Sequence, residues 1–283
     1  MAPVICTLAT ANASKDLRVF LFTLELFHIE PPTVYLLCDS AIAKSLPSYK
    51  GKIHTNTLLD NYTKYDRKQM SAMPGKAYKT LWEDFMMEKA TVMEQAFQQG
   101  NTSVFFADSD ICFLGPLPEI PSHSTLAVSP HMIRSYDAQR FGYYNAGFLW
   151  SSNPDFPNQW RKAALTSRYY DQAAVEDIVK QTPPAEVYEF PEQVNYGWWR
   201  MYQGNEPPQQ LQTKWSIFRR ENLSGICVSG KPLLSIHTHW AEKTDPVTQL
   251  FNQFVFAFLQ SLGKHKPAAN LTKFLIREFS IKN

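Results

Sequence analysis

The beginning of the chain alternates between short apolar runs and a longer segment with helical periodicity. Residues 4–8 and 33–38 are rich in apolar and β-branched side chains, which is typical of buried strands. Between them, residues 17–27 place apolar side chains three and four positions apart, the spacing of one helix face. A strand, a helix and a strand in this order predict a parallel pair joined by a crossover helix. This beginning restricts the chain to an α/β fold.

The alternation continues along the chain and becomes less regular in its second half. Residues 77–99 form a long helix candidate that Gly100 ends, and a strand candidate at 104–107 follows directly. The remaining candidates are a strand at 126–128, helices at 158–166 and 171–181, a strand at 233–236 and a helix at 247–262. The pattern predicts one domain whose central sheet is flanked by helices.

The composition argues against several functional classes. The 283 residues carry 28 Lys and Arg against 26 Asp and Glu, a net charge of +2, so we expect no nucleic-acid partner. No apolar stretch reaches the ~20 residues of a membrane helix, and the first residues do not resemble a secretory signal. The four cysteines are far apart in sequence, which favours reduced thiols. We expect a soluble cytoplasmic protein, although five N-x-S/T tripeptides would suit a secretory lumen.

Two aspartates follow the most apolar short run of the chain. Asp108 and Asp110 come directly after residues 104–107, which predict a strand buried on both faces. Open α/β sheets bind ligands at the carboxyl ends of their strands, where these side chains would lie. On an extended chain both carboxylates would point the same way, and they would repel each other without a cation. Oxygen ligands favour Mg²⁺, Mn²⁺ or Ca²⁺, so we predict a metal site, with a solvated turn as the alternative.

A second candidate ligand comes from two histidines near the end of the chain. His237 and His239 follow the apolar run 233–236 and would share one side of an extended chain. An imidazole beside two carboxylates suits Mn²⁺ better than Ca²⁺. Lys243 follows and could place a cation on an anionic group bound to that metal. Without the carboxylates, two surface or hydrogen-bonded histidines would be an equally good interpretation.

Lys89 interrupts the apolar face of the long predicted helix. It lies midway between Phe85 and Met93, which belong to the same apolar stripe. A charged group at that position either extends to solvent or meets an anion. Because the helix leads into the strand that ends at Asp108, contact with a phosphate or a sugar is the competing interpretation.

Two further segments carry polar side chains suited to sugar recognition. Asn145 stands in a run with small residues, where its amide could bind hydroxyl groups and Gly147 would permit close backbone approach. Asp171 and Gln172 stand at the predicted start of a helix, where an aspartate is also a natural cap. Gly197-Trp198-Trp199 could stack on a sugar ring, although most tryptophans only pack.

In this order, the segments resemble a metal-dependent nucleotide-diphospho-sugar glycosyltransferase of the GT-A fold, as in glycosyltransferase families 8 and 77. The resemblance covers residues 4–243 and rests on the lysine-bearing helix, Phe106-Ala107-Asp108-Ser109-Asp110, Tyr144-Asn145-Ala146-Gly147-Phe148, Asp171-Gln172, and His237 followed by Lys243. It implies a Rossmann-like mixed central sheet flanked by helices, with a smaller acceptor-side subregion. The single domain 1–283 would comprise a nucleotide-binding half (about 1–115), an acceptor and metal half (about 116–245) and a C-terminal helical extension (246–283).

The resemblance also implies roles for single residues. Mn²⁺ or Mg²⁺ would be held by Asp108, Asp110 and His237, with His239 as the alternative histidine. Contacts to the donor would come from Thr7, Ala9, Asp39, Lys89, Asp108, Ser109 and Lys243. Asn145 and Asp171 would orient the transferred sugar and Gln172 would lie near its anomeric carbon, which makes these three the catalytic candidates.

The implied reaction moves a sugar from a nucleotide-diphosphate sugar, expected to be UDP-linked, to a glycan or another hydroxyl acceptor. We expect retention of anomeric configuration, because the retaining families that the sequence resembles need no strong side-chain nucleophile. An inverting enzyme would need a carboxylate base, for which Glu176, Asp177 and Glu192 are candidates. A metal-dependent nucleotide-sugar hydrolase or nucleotidyltransferase and a non-catalytic carbohydrate-binding protein are the alternatives.

Overall fold

A computed structural model describes residues 3–281 of the chain as a mixed α/β structure. The helices are α1 (Ser14–Phe27), α2 (Ser40–Lys44), α3 (Arg67–Ala72), α4 (Leu81–Gln98), α5 (Ser135–Phe141), α6 (Phe156–Ala164), α7 (Tyr170–Val179), α8 (Arg200–Gln203), α9 (Pro208–Lys214), α10 (Pro246–Ser261) and α11 (Lys266–Phe279). The strands are β1 (Val4–Ala9), β2 (Thr33–Cys38), β3 (Ile53–Thr57), β4 (Val104–Ala107), β5 (Ile111–Phe113), β6 (Leu126–Pro130), β7 (Tyr144–Ser151), β8 (Val187–Glu189), β9 (Tyr196–Gly197), β10 (Trp215–Arg220), β11 (Leu223–Val228), β12 (Lys231–Pro232) and β13 (Ser235–His237).

Seven of these strands form the central sheet in the order β3-β2-β1-β4-β7-β6-β8. The four strands from β3 to β4 are parallel, whereas β7 runs antiparallel to both β4 and β6. The sheet is therefore mixed, as the resemblance implied. Two three-stranded sheets, β5-β13-β9 and β10-β11-β12, complete the strand pairing of the described residues.

The core has three apolar clusters, two of which lie on opposite faces of the central sheet. Alternate residues of β1 divide between them, since Cys6 packs in one cluster and Ile5 in the other. The third cluster joins the small strands to α10 and α11 through buried side chains such as Ile236 and Phe251. Every cysteine is buried and free, as predicted. Within residues 3–281, no helix combines the length and apolar character that a membrane span requires.

The elements predicted for the first half are present, but α2, β3, α3 and β5 were not predicted and the long helix begins later than expected. That helix begins at Leu81, after the N-cap Thr80, and not at Ala77. The reason is that the Asp84 carboxylate accepts hydrogen bonds from the backbone N–H groups of residues 76–78, which holds them in a loop.

In the second half, the last predicted strand is displaced. It spans Ser235–His237, because Leu233 and Leu234 donate their backbone N–H groups to carbonyls of two separate segments, at Ile226 and Gln193. The hairpin of β10 and β11 and the final helix α11 were not predicted. The division into a nucleotide-binding half, an acceptor half and a C-terminal extension stays a prediction.

Candidate functional site

The Asp108–Asp110 segment is a tight turn between β4 and β5. Ile111 N donates to Asp108 O at 3.1 Å, and Asp108 N donates to Gly147 O of β7 at 2.8 Å. The extended geometry expected for the two aspartates is therefore wrong, because the chain reverses direction here to pair β5 with β13. The turn still lies at the carboxyl end of β4, the sheet edge that favours ligand binding. The two carboxylates have different partners.

Asp110 lies against both predicted histidines. One carboxylate oxygen is 2.8 Å from His237 Nε2, and the other is 3.0 Å from His239 Nδ1. The ligand atoms of these three side chains all fall within 4.8 Å of one another. Asp108 is more distant, with Oδ2 3.9 Å from His237 Nε2. His237 ends β13 opposite Ile111, whereas His239 has a left-handed backbone (φ 45°) that turns its ring onto that of His237.

The hydrogen bonds of His237 leave one ring nitrogen for Asp110. Its Nδ1 lies 3.1 Å from Asn195 Oδ1, and Asn195 Nδ2 donates to Asn145 Oδ1 at 2.9 Å. Asn145 Oδ1 also accepts from Gly147 N, which fixes the orientation of both amides and places a proton on His237 Nδ1. Nε2 and the Asp110 carboxylate are then two acceptors side by side. They require either a second ring proton or a cation bound to both.

The charges of this cluster favour such a positive group, a proton or a cation, between His237 Nε2 and the Asp110 carboxylate. Burial alone would raise the pKa of Asp110, but His237 and His239 hold it well below its usual range. Burial alone would lower the pKa of His237, but the attraction of Asp110 and their hydrogen bond outweigh it and raise the pKa. A half-buried carboxylate with imidazole nitrogen beside it fits a divalent cation such as Mn²⁺, which would compete with the proton for Nε2.

Lys89 occupies the other side of the turn and is 3% exposed. Its ammonium lies 3.1 Å from Asp108 Oδ1 and 3.1 Å from Asp171 Oδ2, above the ring of Phe106. Burial alone would lower the pKa of Lys89, but these two carboxylates raise it, so the side chain stays charged. Lys89 therefore meets anionic groups rather than extending to solvent.

Asn145 and Gln172, two of the three catalytic candidates, belong to one hydrogen-bonded network. Asn145 Nδ2 donates to Gln172 Oε1 at 3.3 Å, and Gln172 Nε2 donates to the Phe141 carbonyl at 2.8 Å. Asp171 lies in the first turn of α7, but Tyr169 is the N-cap residue, so the capping alternative is not observed. Burial raises the pKa of Asp171, and Lys89 opposes that shift. The network holds the Gln172 amide in one orientation.

These groups line a cavity of about 500 Å³ at the edge of the central sheet. It brings together most of the predicted site: Ala9, Lys89, Asp108, Ser109, Asp110, Asn145, Asp171, Gln172, His237 and His239. A second cavity of about 550 Å³ lies near α6 and α7, contains none of the predicted site residues, and has Lys162 and Glu186 as its charged groups.

Three predicted donor contacts lie elsewhere. Thr7 is fully buried in β1, and its hydroxyl has no partner among the residues the structure describes. Asp39 caps α2 by accepting from Ile42 N at 2.7 Å, and it also accepts from Ala11 N at 2.6 Å. Lys243 is exposed in the turn before α10, outside the cavity lining. Their roles toward a donor stay predictions.

Two polar residues of the site were missed by the sequence reasoning. Asn195 links His237 to Asn145, and its left-handed backbone (φ 54°) is one that asparagine adopts more readily than most residues. His131 lies 3.5 Å from Gln172 Nε2, and burial lowers the pKa of His131 to about 3. A lone asparagine or histidine between apolar neighbours carries no motif, so only the structure reveals these contacts.

Comparison with known proteins identifies the fold. No protein-family model and no curated protein matches the sequence. Among solved structures, the apo-form glycosyltransferase GlyE of Streptococcus pneumoniae TIGR4 is 14% identical with a TM-score of 0.54; the match covers 99% of this chain and 64% of that one. The chain thus spans less than two thirds of GlyE.

The galactosyltransferase LgtC, in complex with donor and acceptor sugar analogues, is 12% identical with a TM-score of 0.55, and the match covers 99% of this chain and 97% of that one. An active-site glutamine-to-glutamate variant of LgtC is 13% identical with a TM-score of 0.50, covering 90% of this chain and 95% of that one. These similarities, with the mixed seven-stranded sheet, show that the chain has the GT-A fold.

Proposed function

We propose that this protein is a glycosyltransferase that moves a sugar from a UDP-linked donor to a hydroxyl group of a glycan acceptor, with retention of configuration. One observation carries the proposal: the Asp110–His237–His239 cluster, in which His237 is buried, and the buried cation Lys89 share one cavity at the ligand-binding edge of a GT-A sheet. The donor and acceptor sugar analogues bound to LgtC support the same reaction class for a protein of this fold.

The proposed metal ligands are Asp108, Asp110 and His237, with His239 as the alternative histidine. Mn²⁺ is the preferred ion because the cluster mixes carboxylate oxygen with imidazole nitrogen, and Mg²⁺ is the alternative. When bound, a divalent ion supplies the positive charge that stabilises a departing diphosphate without proton transfer. The hydrogen bond from His237 Nδ1 to Asn195 fixes the ring so that Nε2 faces the cluster.

The chain's own residues would bind and orient the donor. Lys89 provides a fixed positive charge beside Asp108, where a diphosphate or the donor sugar would lie. Ala9 and Ser109 line the cavity next to it, and Thr7, Asp39 and Lys243 remain proposed donor contacts that the cavity does not include.

Retention is favoured by the placement of the polar groups. Gln172 presents an amide whose two ends are both hydrogen-bonded, which suits positioning near an anomeric carbon rather than proton transfer. An inverting mechanism would need one carboxylate base, and none of its three candidates, Glu176, Asp177 and Glu192, lines the cavity. Glu176 forms ion pairs with Arg168 and Lys180. These pairs oppose the effect of burial and help lower the pKa of Glu176 to about 2, which makes it a weak base.

The test is a thermal-shift panel of nucleotide sugars and UDP, each with and without Mn²⁺. Stabilisation by UDP that a chelator removes is expected for the wild type and is expected to vanish in Asp110→Asn. Asp155→Asn, an exposed aspartate outside the cavity, is the matched control. NMR of the product anomer then tests retention, and turnover that is equally fast without any acceptor would favour a hydrolase instead.

A further inference from the structure

The cavity has an aromatic surface that the proposed donor contacts do not use. Trp198 and Tyr202 stand one helical turn apart, with ring centroids 5.5 Å apart and planes inclined by 19°. Both rings line the cavity, and Tyr202 is 45% exposed. We call this pair, Trp198 and Tyr202, the aromatic platform.

Core packing accounts for only part of the platform, because Trp198 packs against the third apolar cluster whereas Tyr202 belongs to none of the three. The neighbouring Trp199 does pack, since it is 4% exposed and its Nε1 donates to the His131 carbonyl at 2.9 Å. Trp198 is only half-buried, and Tyr202 leaves almost half of its surface to solvent. Tyr202 therefore leaves aromatic surface in the cavity that a ligand can cover.

The position of the platform relates it to the reacting groups. The Trp198 ring stands edge-on to His239 at 5.7 Å between centroids, and His239 Nδ1 contacts Asp110 at 3.0 Å. The platform therefore extends from the candidate metal cluster to the solvent-exposed side chain of Tyr202. Trp198 follows β9 and Tyr202 lies in α8. The proposed donor contacts come from other elements: Ala9 ends β1, Lys89 lies in α4 and Asp108 follows β4.

We infer that the aromatic platform is the acceptor subsite and that it binds the apolar face of a pyranose ring, with an acceptor hydroxyl directed toward the metal cluster. Aromatic faces recognise such rings because the C–H groups on one side of a pyranose are apolar, while its edges carry hydroxyls. Gln203 also lines the cavity beside the platform, where an amide can bind those edge hydroxyls. This inference rests on the proposed function.

The test uses a printed glycan array, probed with the full chain in the presence of UDP and MnCl₂. Tyr202→Ala is expected to weaken binding to the array glycans that the wild type captures by about three- to tenfold, because one aromatic contact is lost. Tyr202→Phe, which keeps the ring, is expected to behave as the wild type. Tyr136→Ala, a 75% exposed tyrosine outside the cavity, is the matched control and is expected to change nothing.

Thermal stabilisation by UDP and Mn²⁺ is measured on the same variants. If the wild type shows no such stabilisation, the proposed function fails. If stabilisation is normal but Tyr202→Ala captures glycans as well as the wild type, or the wild type captures none, the platform inference is overturned. Loss of UDP stabilisation in Tyr202→Ala overturns it as well, because the ring would then belong to the donor subsite.

Discussion

The ammonium of Lys89 lies 3.1 Å from Asp171 Oδ2, and each side chain is only 4% exposed. This buried pair joins α4 to the first turn of α7, so it fixes the position of the helix that carries Gln172. Removing one partner of a buried ion pair leaves the other charge without compensation, which is more damaging than replacing both.

We predict that Lys89→Met lowers the free energy of unfolding by about 3–5 kcal/mol and abolishes UDP binding. The double variant Lys89→Met/Asp171→Asn should recover part of the stability but none of the binding, because the cation for the donor is still missing. Urea unfolding and thermal shift with UDP and Mn²⁺ measure the two effects. The exposed Lys68→Met is the control, and an equal loss of UDP binding there would contradict the prediction.

Gly147 leaves no room for a side chain at the centre of the site. A Cβ at this position would come within 2.6 Å of Asp108 Oδ2 and 2.7 Å of both Asn145 Oδ1 and His237 Cε1. We predict that Gly147→Ala lowers stability by about 1–3 kcal/mol and weakens Mn²⁺-dependent UDP binding by at least tenfold, because three site residues must move.

The matched variant for that prediction is Gly115→Ala, whose added methyl would meet chiefly the end of the Leu234 side chain at 2.8 Å. Isothermal titration with UDP and MnCl₂ is the measurement. Unchanged affinity in Gly147→Ala would show that the site does not depend on this close approach.

The two histidines of the cluster should contribute unequally. His237 is held by Asn195 and Asp110 and its side chain is 5% exposed, whereas the His239 side chain is 40% exposed. We predict that His237→Ala reduces Mn²⁺ affinity more than 100-fold and His239→Ala by about tenfold or less, because a buried ligand oriented by a second hydrogen bond contributes more than an exposed one. Electron paramagnetic resonance titration of free Mn²⁺ measures both. The reverse order would make His239 the ligand.

His131 should make the fold sensitive to mild acid. Burial lowers its pKa from the ordinary 6.5 to about 3, so the folded chain keeps the ring neutral over a range in which the unfolded chain protonates it. Its contribution to stability is therefore fully present above pH 6.5 and decreases as the pH falls toward 3. We predict a smaller drop in the urea midpoint between about pH 7 and 5 for His131→Gln than for the wild type. Parallel curves for the two proteins would contradict this.

The parts of the fold set by local pattern were predictable from the sequence. The strands Thr33–Cys38 and Val104–Ala107 are continuous apolar runs, and the structure places them at those bounds. The hairpin of β10 and β11 was not predicted, because its sequence places arginines and other exposed residues where a buried strand would carry apolar side chains. Its stability comes from contacts of Trp215 with α10, which no local pattern reveals.

In the candidate site, too, residues marked by a local sequence pattern were predictable and residues that depend on distant contacts were not. The aspartates were located because they follow a buried strand, and the mixed GT-A sheet brings them near the predicted histidines. The structure corrects the geometry, since Asp110 rather than Asp108 is the carboxylate closest to His237. Asn195 could not be predicted, because its role depends on contacts with residues far away in the sequence.

The antiparallel pairing of β5 with β13 gives the candidate metal cluster a second significance. Asp110 directly precedes β5 and His237 ends β13, so these ligands come from opposite ends of a long stretch of intervening chain. An ion held by both would join these two distant segments only in the folded chain and would be released when the chain unfolds. Part of the affinity for the ion would then appear as resistance to unfolding, and the lifetime of the protein in a cell would follow the supply of that ion.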